Sequence, residues 1–234
     1  IHLTKVDAEY PDNKLTGATF EVYKDSNGSG KLDDGDELLG TLTEKEIGSY
    51  EMKDLFYGRY FVKETKAPEG FVLDTGVYEV MIDTDGKTCE VENKAGVGFI
   101  NEAMRGNLKI VKTSSDGKIK GFAFRITGAN GYDIILETND KGEIVIEGIR
   151  IGDYTVSEVS NSASAMYVLP ADKKATVKTG STTIVEMHNV LRDTPKTGDA
   201  TNLPLLYALA GLSAVGIAVT AFVGFKKKKK EGND

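Results

Sequence analysis

Apolar and polar residues alternate in short runs along most of the chain, and turn residues separate the runs. Alternation with a period of two is typical of β-strands, because successive side chains point to opposite faces of a sheet. About seven short strands in each half are typical of an antiparallel β-sandwich. The runs lie at residues 1–6, 18–23, 48–53, 58–64, 77–82 and 97–101, and again at 108–112, 122–127, 133–137, 142–146, 152–158, 174–178 and 182–189.

The two halves of this pattern match each other. A repeat of this length is a repeated domain rather than a short solenoid unit. The pattern therefore predicts an all-β chain with two tandem Ig-like antiparallel β-sandwiches, at residues 1–104 and 105–191. Three stretches of the first half recur in the second in the same order: 1–7 as 108–114, 58–64 as 152–158, and 97–101 as 185–189.

Each matched stretch carries one polar residue at the end of an otherwise apolar face. Residues i, i+2 and i+4 of a strand share a face, so these polar groups lie on the same side as their apolar neighbours. A strand end that meets water would explain any one of them, but six matched positions favour a shared role. They are one lysine, one glutamate and one asparagine in each half: Lys5, Glu64 and Asn101, then Lys112, Glu158 and Asn189.

The last part of the chain departs from the strand pattern. Residues 200–225 carry no charge, and as a helix they would span about 39 Å, enough for the hydrocarbon core of a bilayer. Five lysines follow at 226–230, and lysines beside a span stay in the cytoplasm. We therefore predict a transmembrane helix at 200–225, a basic cytoplasmic tail at 226–234 and an external location for everything before the helix.

A short motif stands before this span, within a predicted linker at 192–199. The order of motif, apolar span and basic tail resembles the LPxTG sorting signal of Gram-positive wall-anchored proteins, with threonine where leucine is usual. The resemblance implies a membrane sortase that cuts before the motif glycine and passes the threonine to an amine of a peptidoglycan cross-bridge or a pilin. A plain linker before a permanent membrane anchor is the alternative. The motif is Thr194, Pro195, Lys196, Thr197 and Gly198.

The residues around the polar positions of the first half form a second recognisable set. They read Thr-Lys-Val-Asp at 4–7, Tyr-Phe-Val-Lys-Glu-Thr-Lys-Ala-Pro-Glu-Gly-Phe at 60–71 and Phe-Ile-Asn at 99–101. This set resembles the Cna B-type, SpaA-like domains of Gram-positive pilins and adhesins; the second half lacks the Ala-Pro-x-Gly part. The resemblance implies a prealbumin-like variant of the sandwich. It also implies one self-made isopeptide bond per domain: Lys5–Asn101 with Glu64, and Lys112–Asn189 with Glu158.

The three residue types suit this reaction. Burial disfavours charge, so it lowers the pKa of a lysine and raises the pKa of a glutamate. The neutral amine can attack the asparagine carboxamide carbon while the protonated glutamate donates to the carboxamide oxygen and shuttles protons. Ammonia leaves, and the new amide joins the first strand of the domain to its last.

Composition restricts the remaining functions. Lysine and arginine number 29 against 36 acidic residues, a formal net charge of −7, which argues against a nucleic-acid protein. The single cysteine, Cys89, excludes an internal disulfide framework. With two histidines and no paired acids beyond the core glutamates, the chain shows no turnover site. We predict no enzyme activity beyond single-turnover self-crosslinking, and no required cofactor.

An acidic segment in the first half is a candidate calcium site. Its oxygen-bearing side chains have the spacing of a calcium loop. A solvated acidic hairpin loop is the alternative, because aspartate replaces the usual bidentate glutamate and no helices are predicted on either side. The candidate ligands of Ca²⁺ are Asp25, Asn27, Ser29, Asp33 and Asp36.

Together these patterns predict the C-terminal stalk of a sortase-anchored adhesin or pilin subunit. It would be held in the membrane before sorting and attached to peptidoglycan at the surface of a Gram-positive bacterium afterwards. We expect a fragment whose secretion signal and further domains lie upstream, where any host or surface ligand would bind. A membrane-retained extracellular binding module without wall attachment is the alternative, and an extracellular enzyme would need an upstream domain.

Overall fold

The computed structural model describes residues 1–193, and these residues form an all-β structure. The strands of the first half are β1 (His2–Asp7), β2 (Thr19–Lys24), β3 (Glu37–Thr41), β4 (Thr43–Glu46), β5 (Ser49–Glu51), β6 (Gly58–Lys66), β7 (Val77–Ile82) and β8 (Phe99–Asn101). The strands of the second half are β9 (Arg105–Ser114), β10 (Ala123–Gly128), β11 (Asp133–Glu137), β12 (Glu143–Arg150), β13 (Gly152–Val159), β14 (Tyr167–Val168), β15 (Lys173–Val177) and β16 (Thr182–Leu191), with one 3₁₀ turn at Ala129–Gly131.

Each half consists of two four-stranded sheets around its own hydrophobic core. In the first half the sheets have the orders β4-β5-β1-β8 and β3-β2-β6-β7, and in the second β12-β9-β16-β14 and β11-β10-β13-β15. Both sheets contribute to the core because one face of each is apolar. In the first core, for example, Phe20 of β2 meets Tyr50 and Phe99 edge to face, at ring-centroid distances of 5.3 and 4.9 Å.

The first and last strands of each sandwich pair differently from the sequence-based prediction. β1 pairs in parallel with β8, and β9 pairs in parallel with β16, so the prediction of wholly antiparallel sandwiches is wrong for these pairs. A parallel pair needs a long crossover connection, and here the chain visits the facing sheet between the two strands. Because both strands run the same way, the chain enters each sandwich at one end and leaves at the other.

The predicted strands are present, most with bounds shifted by a few residues, and β7 and β11 have the predicted bounds. Three observed strands were not predicted: β3, β4 and β14. β3 and β4 lie at sheet edges and are largely exposed, so they lack the apolar alternation that a buried face imposes. β14 has only two residues, too few for a periodic pattern.

The two sandwiches form one compact unit, Ile1–Leu191, and one arginine of β12 joins them. Arg150 Nη2 lies 2.6 Å from Asp7 Oδ2, and the two side chains are 17% and 2% exposed. The guanidinium also lies over the rings of Tyr10 and Phe71, at 5.3 and 5.5 Å from their centroids. A buried ion pair of this kind fixes the geometry of the joint, because separating its partners would leave a buried charge uncompensated.

Some sequence-based predictions fall beyond the described residues. The sorting motif at 194–198, the apolar span at 200–225 and the basic tail at 226–234 all lie outside residues 1–193. Among residues 1–193, no helix has the length and apolar character needed to cross a membrane.

Candidate functional site

The structure buries both predicted sets of polar residues inside the sandwiches. All six side chains are at most 8% exposed, although their surroundings are mainly apolar. Lysine, glutamate and asparagine are seldom fully buried unless they have a specific partner or role. We call each set a trio: the first trio is Lys5, Glu64 and Asn101, and the second trio is Lys112, Glu158 and Asn189.

The parallel strand pairs place lysine and asparagine on one buried face. In the first sandwich, the register pairs Lys5 with Phe99, so Asn101 lies two residues further along the neighbouring strand. In the second, Lys112 pairs with Met187, and Asn189 again lies two residues further along. This offset corresponds to about 6.6 Å along a strand, within reach of a lysine side chain. The strand register therefore brings the two ends of the proposed bond together in the same way twice.

The glutamate of each trio comes from the facing sheet. Glu64 lies on β6 and pairs with Phe20, and Glu158 lies on β13 and pairs with Phe124. Each glutamate therefore approaches its asparagine across the core instead of along the same sheet. The matched positions of β6 and β13 in the two sheets explain why the same arrangement appears in both halves.

In the first trio one hydrogen bond joins asparagine to glutamate, and the lysine bonds to the backbone. Asn101 Nδ2 donates to Glu64 Oε2 at 2.8 Å and to the Val72 carbonyl oxygen at 2.5 Å. The same Glu64 oxygen accepts the backbone N–H of Asp74 at 2.8 Å. Lys5 Nζ donates to the carbonyl oxygen of Phe99 at 2.9 Å. The carboxamide of Asn101 is thus held through its nitrogen.

The second trio has the same central bond with a different lysine position. Asn189 Nδ2 donates to Glu158 Oε1 at 2.7 Å. Lys112 Nζ donates to the Thr113 carbonyl oxygen at 2.5 Å and lies 4.1 Å from the centroid of the Phe122 ring. The lysine amine is therefore satisfied by the backbone and an aromatic face, which stabilise it while it is charged.

Both trios share the same unsatisfied oxygens. The second carboxyl oxygen of each glutamate and the carboxamide oxygen of each asparagine are buried without a hydrogen-bond partner, namely Glu64 Oε1, Asn101 Oδ1, Glu158 Oε2 and Asn189 Oδ1. An unpaired buried acceptor is costly, and an ionised carboxylate can only accept. A protonated glutamate has an O–H to donate, and an asparagine oxygen is an acceptor. The pattern thus favours a neutral carboxyl group.

Burial shifts the pKa values of the trios in the directions that the predicted crosslinking would need. Loss of solvation lowers the pKa of Lys5 from 10.5 to about 8, against an opposing attraction from Glu64. Loss of solvation also lowers the pKa of Lys112. The same cause raises the pKa of Glu64 and of Glu158, although the bond from each asparagine opposes it. In both trios the shifts favour a neutral amine beside a neutral carboxyl group.

A network around Asp74 in the first sandwich was not predicted. Asp74 Oδ2 accepts hydrogen bonds from Tyr78 Oη at 2.8 Å and from Asn93 Nδ2 at 2.6 Å. Asn93 also bonds both backbone groups of Ile100, the residue before Asn101. These residues lie in loops and at a strand start, and no spacing rule links them, so only the fold reveals the network. It fixes the backbone that carries Asn101 and the N–H that reaches Glu64.

The structure does not arrange the predicted calcium ligands as a metal site. Within residues 1–193, no group of three or more histidine, cysteine, aspartate or glutamate side chains is placed to hold a metal ion. The loop oxygens instead accept hydrogen bonds from the loop itself: Asp25 from Ser29 and Gly30, Asn27 from Ser29, Asp33 from Asn27 and Gly35, and Asp36 from Ser26 and Asp33. The geometry therefore favours the hairpin-loop alternative.

Comparison with known proteins gives the same fold for both halves. The family model for the SpaA prealbumin-like fold domain matches residues 1–95 and again residues 106–191. Among curated proteins, the chain is 25% identical over 194 residues to the trypsin-resistant surface T6 protein of Streptococcus pyogenes serotype M6, covering 70% of this chain and 34% of that protein. The chain thus spans about a third of that relative's length.

Two solved structures illustrate what this chain is similar to. The Bacillus anthracis TIE protein is similar at a TM-score of 0.56 and 23% identity, over 82% of this chain and 33% of that one. GBS52, the minor pilin of Streptococcus agalactiae, is similar at a TM-score of 0.38 and 19% identity, over 85% of this chain and 99% of that one. The similarity to the TIE protein supports the fold and nothing beyond it.

Proposed function

The chain belongs to the family of SpaA prealbumin-like domains, and from this premise we propose that it is a self-crosslinking stalk of a Gram-positive surface protein. In this proposal each sandwich forms one Lys–Asn isopeptide bond, and the C-terminal motif anchors the stalk to the cell wall. The observation that carries the proposal is the buried trio, which is repeated with the same strand register in two independent cores.

The chemistry of each crosslink is an amide exchange. The neutral lysine amine attacks the asparagine Cγ, and the protonated glutamate donates to the carboxamide oxygen as charge develops there. The glutamate then carries a proton from the lysine nitrogen to the leaving nitrogen. The C–N bond to the original amide nitrogen breaks, ammonia leaves, and a Lys–Asn amide remains. Each site reacts once, so the chain is not an enzyme in the sense of turnover.

The strand geometry gives the bond a mechanical role. The chain enters each sandwich through its first strand and leaves through its last, so a pull on the ends shears one strand of the parallel pair past the other. A covalent bond between Lys5 and Asn101, or between Lys112 and Asn189, takes this force before the hydrogen bonds of the sheet do. The domain between the two strands is then shielded from tension.

Surface attachment is the second part of the proposal. The motif at 194–198 would be cut by a sortase, and Thr197 would be joined to an amine of the peptidoglycan cross-bridge or of a pilin. The name of the Streptococcus pyogenes relative places that protein at a surface, which supports the same location for this chain. Ligands of the larger protein would bind through domains other than these two.

The intact mass of the full chain tests the crosslinks directly. We expect the mass of the unaltered chain to lie below that of its sequence by two ammonia molecules. For Lys5→Met and for Lys112→Met, the difference should be one ammonia molecule. Methionine keeps most of the buried apolar volume, so each sandwich should still fold. A parent chain with its full sequence mass would overturn the crosslinking proposal.

Fractionation of cells that produce the natural protein tests the anchoring. Wall-linked chains should resist boiling detergent and be released by a peptidoglycan hydrolase, and Thr197→Ala should move the protein to the detergent-soluble membrane fraction. Release of the unaltered chain by detergent alone would instead favour the membrane-retained binding module.

A further inference from the structure

One exposed surface of the first sandwich matches a surface that the second sandwich uses for docking. It is the segment at residues 52–57, just before β6, and its counterpart at residues 146–151 lies just before β13. We call both of them entrance segments, since they lie at the end where the chain enters each sandwich. We propose that the entrance segment of the first sandwich docks onto another β-sandwich of the same family that precedes residue 1 in the natural chain.

Hydrogen bonds establish the match between the two segments. Tyr60 Oη donates to the carbonyl oxygen of Phe56 at 2.7 Å, and Tyr154 Oη donates to the carbonyl oxygen of Arg150 at 2.9 Å. In both cases the tyrosine is the third residue of its strand and the acceptor lies four residues earlier. Phe56 therefore occupies the position of Arg150.

Backbone conformation and packing extend the match along the segment. Asp54 lies six residues before Tyr60 and has a φ of 58°. Gly148 lies six residues before Tyr154 and has a φ of 62°. A left-handed aspartate is uncommon, so its coincidence with a glycine at the matched position reflects the same turn. Met52 packs against the first core as Ile146 packs against the second.

In the second sandwich this segment carries the joint with the first. Arg150 pairs with Asp7 and stacks near Tyr10. The next residue, Ile151, packs over Gly70, whose added Cβ would lie 3.7 Å from Ile151 Cδ1. The entrance segment of the second sandwich is therefore an established docking surface for the exit end of a sandwich.

In the first sandwich the matched side chains are left open. Phe56 is 83% exposed and Tyr57, at the position of Ile151, is 64% exposed. They line a groove of about 960 Å³ together with Ile1, Met52 and Leu55. Two adjacent aromatic side chains with this exposure are unusual on a monomeric surface and mark an interaction site.

The strand pairing identifies the preceding part of the chain as the occupant. In the second sandwich, Arg105 and Gly106 of β9 pair with Arg150 and Ile149, and they follow directly from the first sandwich. Lys5 corresponds to Lys112, so the matched positions in the first sandwich fall before residue 1. A longer chain would run along the first entrance segment before it reaches Ile1, which places the preceding sandwich beside Phe56.

The substitution at the docking position defines the chemistry of the partner. Arg150 requires a buried carboxylate, and Asp7 provides it. Phe56 carries no charge, so a carboxylate buried against it would be uncompensated. The exit end of the preceding sandwich should therefore present apolar and aromatic side chains, without a counterpart of Asp7.

Hydrogen–deuterium exchange on the full natural chain tests this proposal. We expect amides 54–57 to exchange within about tenfold of amides 148–151 in the same molecule. In the double variant Phe56→Ser/Tyr57→Ser, amides 54–57 should exchange at least tenfold faster, together with one loop of the preceding sandwich. The matched control is Val145→Ser/Ile184→Ser, which removes two exposed apolar side chains of the second sandwich and should leave amides 54–57 unchanged.

Protection of the β6 amides in the double variant shows that the first sandwich remains folded, so faster exchange at 54–57 then reports undocking. Exchange of amides 54–57 at the rate of an open loop in the unaltered full chain would overturn the proposal. The absence of a folded sandwich before residue 1 would overturn it as well. Neither result depends on the crosslinks.

Discussion

The two sandwiches hold the same trio in different surroundings. In the first, Glu64 accepts hydrogen bonds from both Asn101 and the Asp74 backbone, and the Asp74 network holds the strand that carries Asn101. In the second, within the described residues, Asn189 is the only hydrogen-bond donor to the Glu158 carboxyl group. Both sandwiches thus hold the groups that the proposed reaction would use, and in the first sandwich an additional hydrogen bond from the backbone holds the glutamate.

Removal of either asparagine should produce the largest effect and tests whether the two trios are equivalent. The intact mass of Asn101→Ala, and likewise of Asn189→Ala, should lie below the mass of its sequence by one ammonia molecule instead of two. By analogy with disulfides, loss of a crosslink that closes a loop of about 80 to 100 residues should lower the free energy of unfolding of that sandwich by about 4–5 kcal/mol. Denaturant unfolding followed separately in each sandwich measures this.

Leucine at the same position separates the bond from the cavity. Asn101→Leu keeps the side-chain size and has no carbonyl carbon for the lysine amine to attack, so its stability loss should resemble that of Asn101→Ala. A mass loss of two ammonia molecules in either alanine variant would show that the substituted asparagine is not the group that reacts with the lysine.

The joint between the sandwiches should be the next most sensitive feature. Arg150→Ala leaves Asp7 buried without its cation, and breaking a buried pair costs about 3 kcal/mol or more. The two sandwiches should then move independently, which small-angle scattering would detect as a broader distribution of distances. Arg125→Ala is the matched control, because its partner Asp133 lies in an exposed pair worth less than about 1 kcal/mol. An unchanged distribution in Arg150→Ala would mean that other contacts between the sandwiches, such as the Arg105–Glu9 ion pair, hold the joint.

The titration of the lysine gives a smaller effect with a defined sign. In Asn101→Ala the Lys5 amine stays free, and its folded pKa of about 8 lies below the ordinary 10.5. Below pH 8 the folded state must bury a charged amine, and above pH 10.5 the amine is neutral in both states. Stability should therefore rise between these values, by as much as about 3 kcal/mol.

A double variant isolates that titration from the other groups of the chain. Lys5→Met/Asn101→Ala lacks the amine, so the difference in unfolding free energy between the two variants should shrink as the pH rises from 8 to 10.5. A difference that does not change across this range would show that Lys5 is not buried with a lowered pKa.

Much of this arrangement could be read from the sequence because it is encoded in the period of the strands. Alternation places Lys5 beside Leu3 and Asn101 beside Phe99 on a buried face, and the repeat doubles each observation. The parallel direction of β1 and β8 could not be read, because alternation identifies a face and carries no information about the direction of the neighbouring strand.

The Asp74 network could not be read either, since its members are brought together only by loops. Arg150 falls between two predicted strands, at 142–146 and 152–158, and nothing local distinguishes it from a solvated charged residue. Phe56 and Tyr57 are an exposed aromatic pair in a loop. Their role is indicated only by comparison with the second sandwich, where the residues at the matched positions contact the first sandwich. Long-range contacts of this kind have no signature in a single stretch of sequence.

The smallest effect is expected from that network, and it tests whether the first trio is better prepared than the second. Asp74→Ala removes the acceptor for Tyr78 and Asn93 and loosens the N–H that holds Glu64. One lost hydrogen bond is worth about 1 kcal/mol, which corresponds to a crosslinking rate about five- to tenfold lower. A time course of crosslinked peptides after pulse translation should show this delay at Lys5–Asn101 and no delay at Lys112–Asn189, so the second sandwich serves as an internal control. Equal rates in the two sandwiches of the unaltered chain, with no response to Asp74→Ala, would show that the trio alone sets the rate and that the network has a purely structural role.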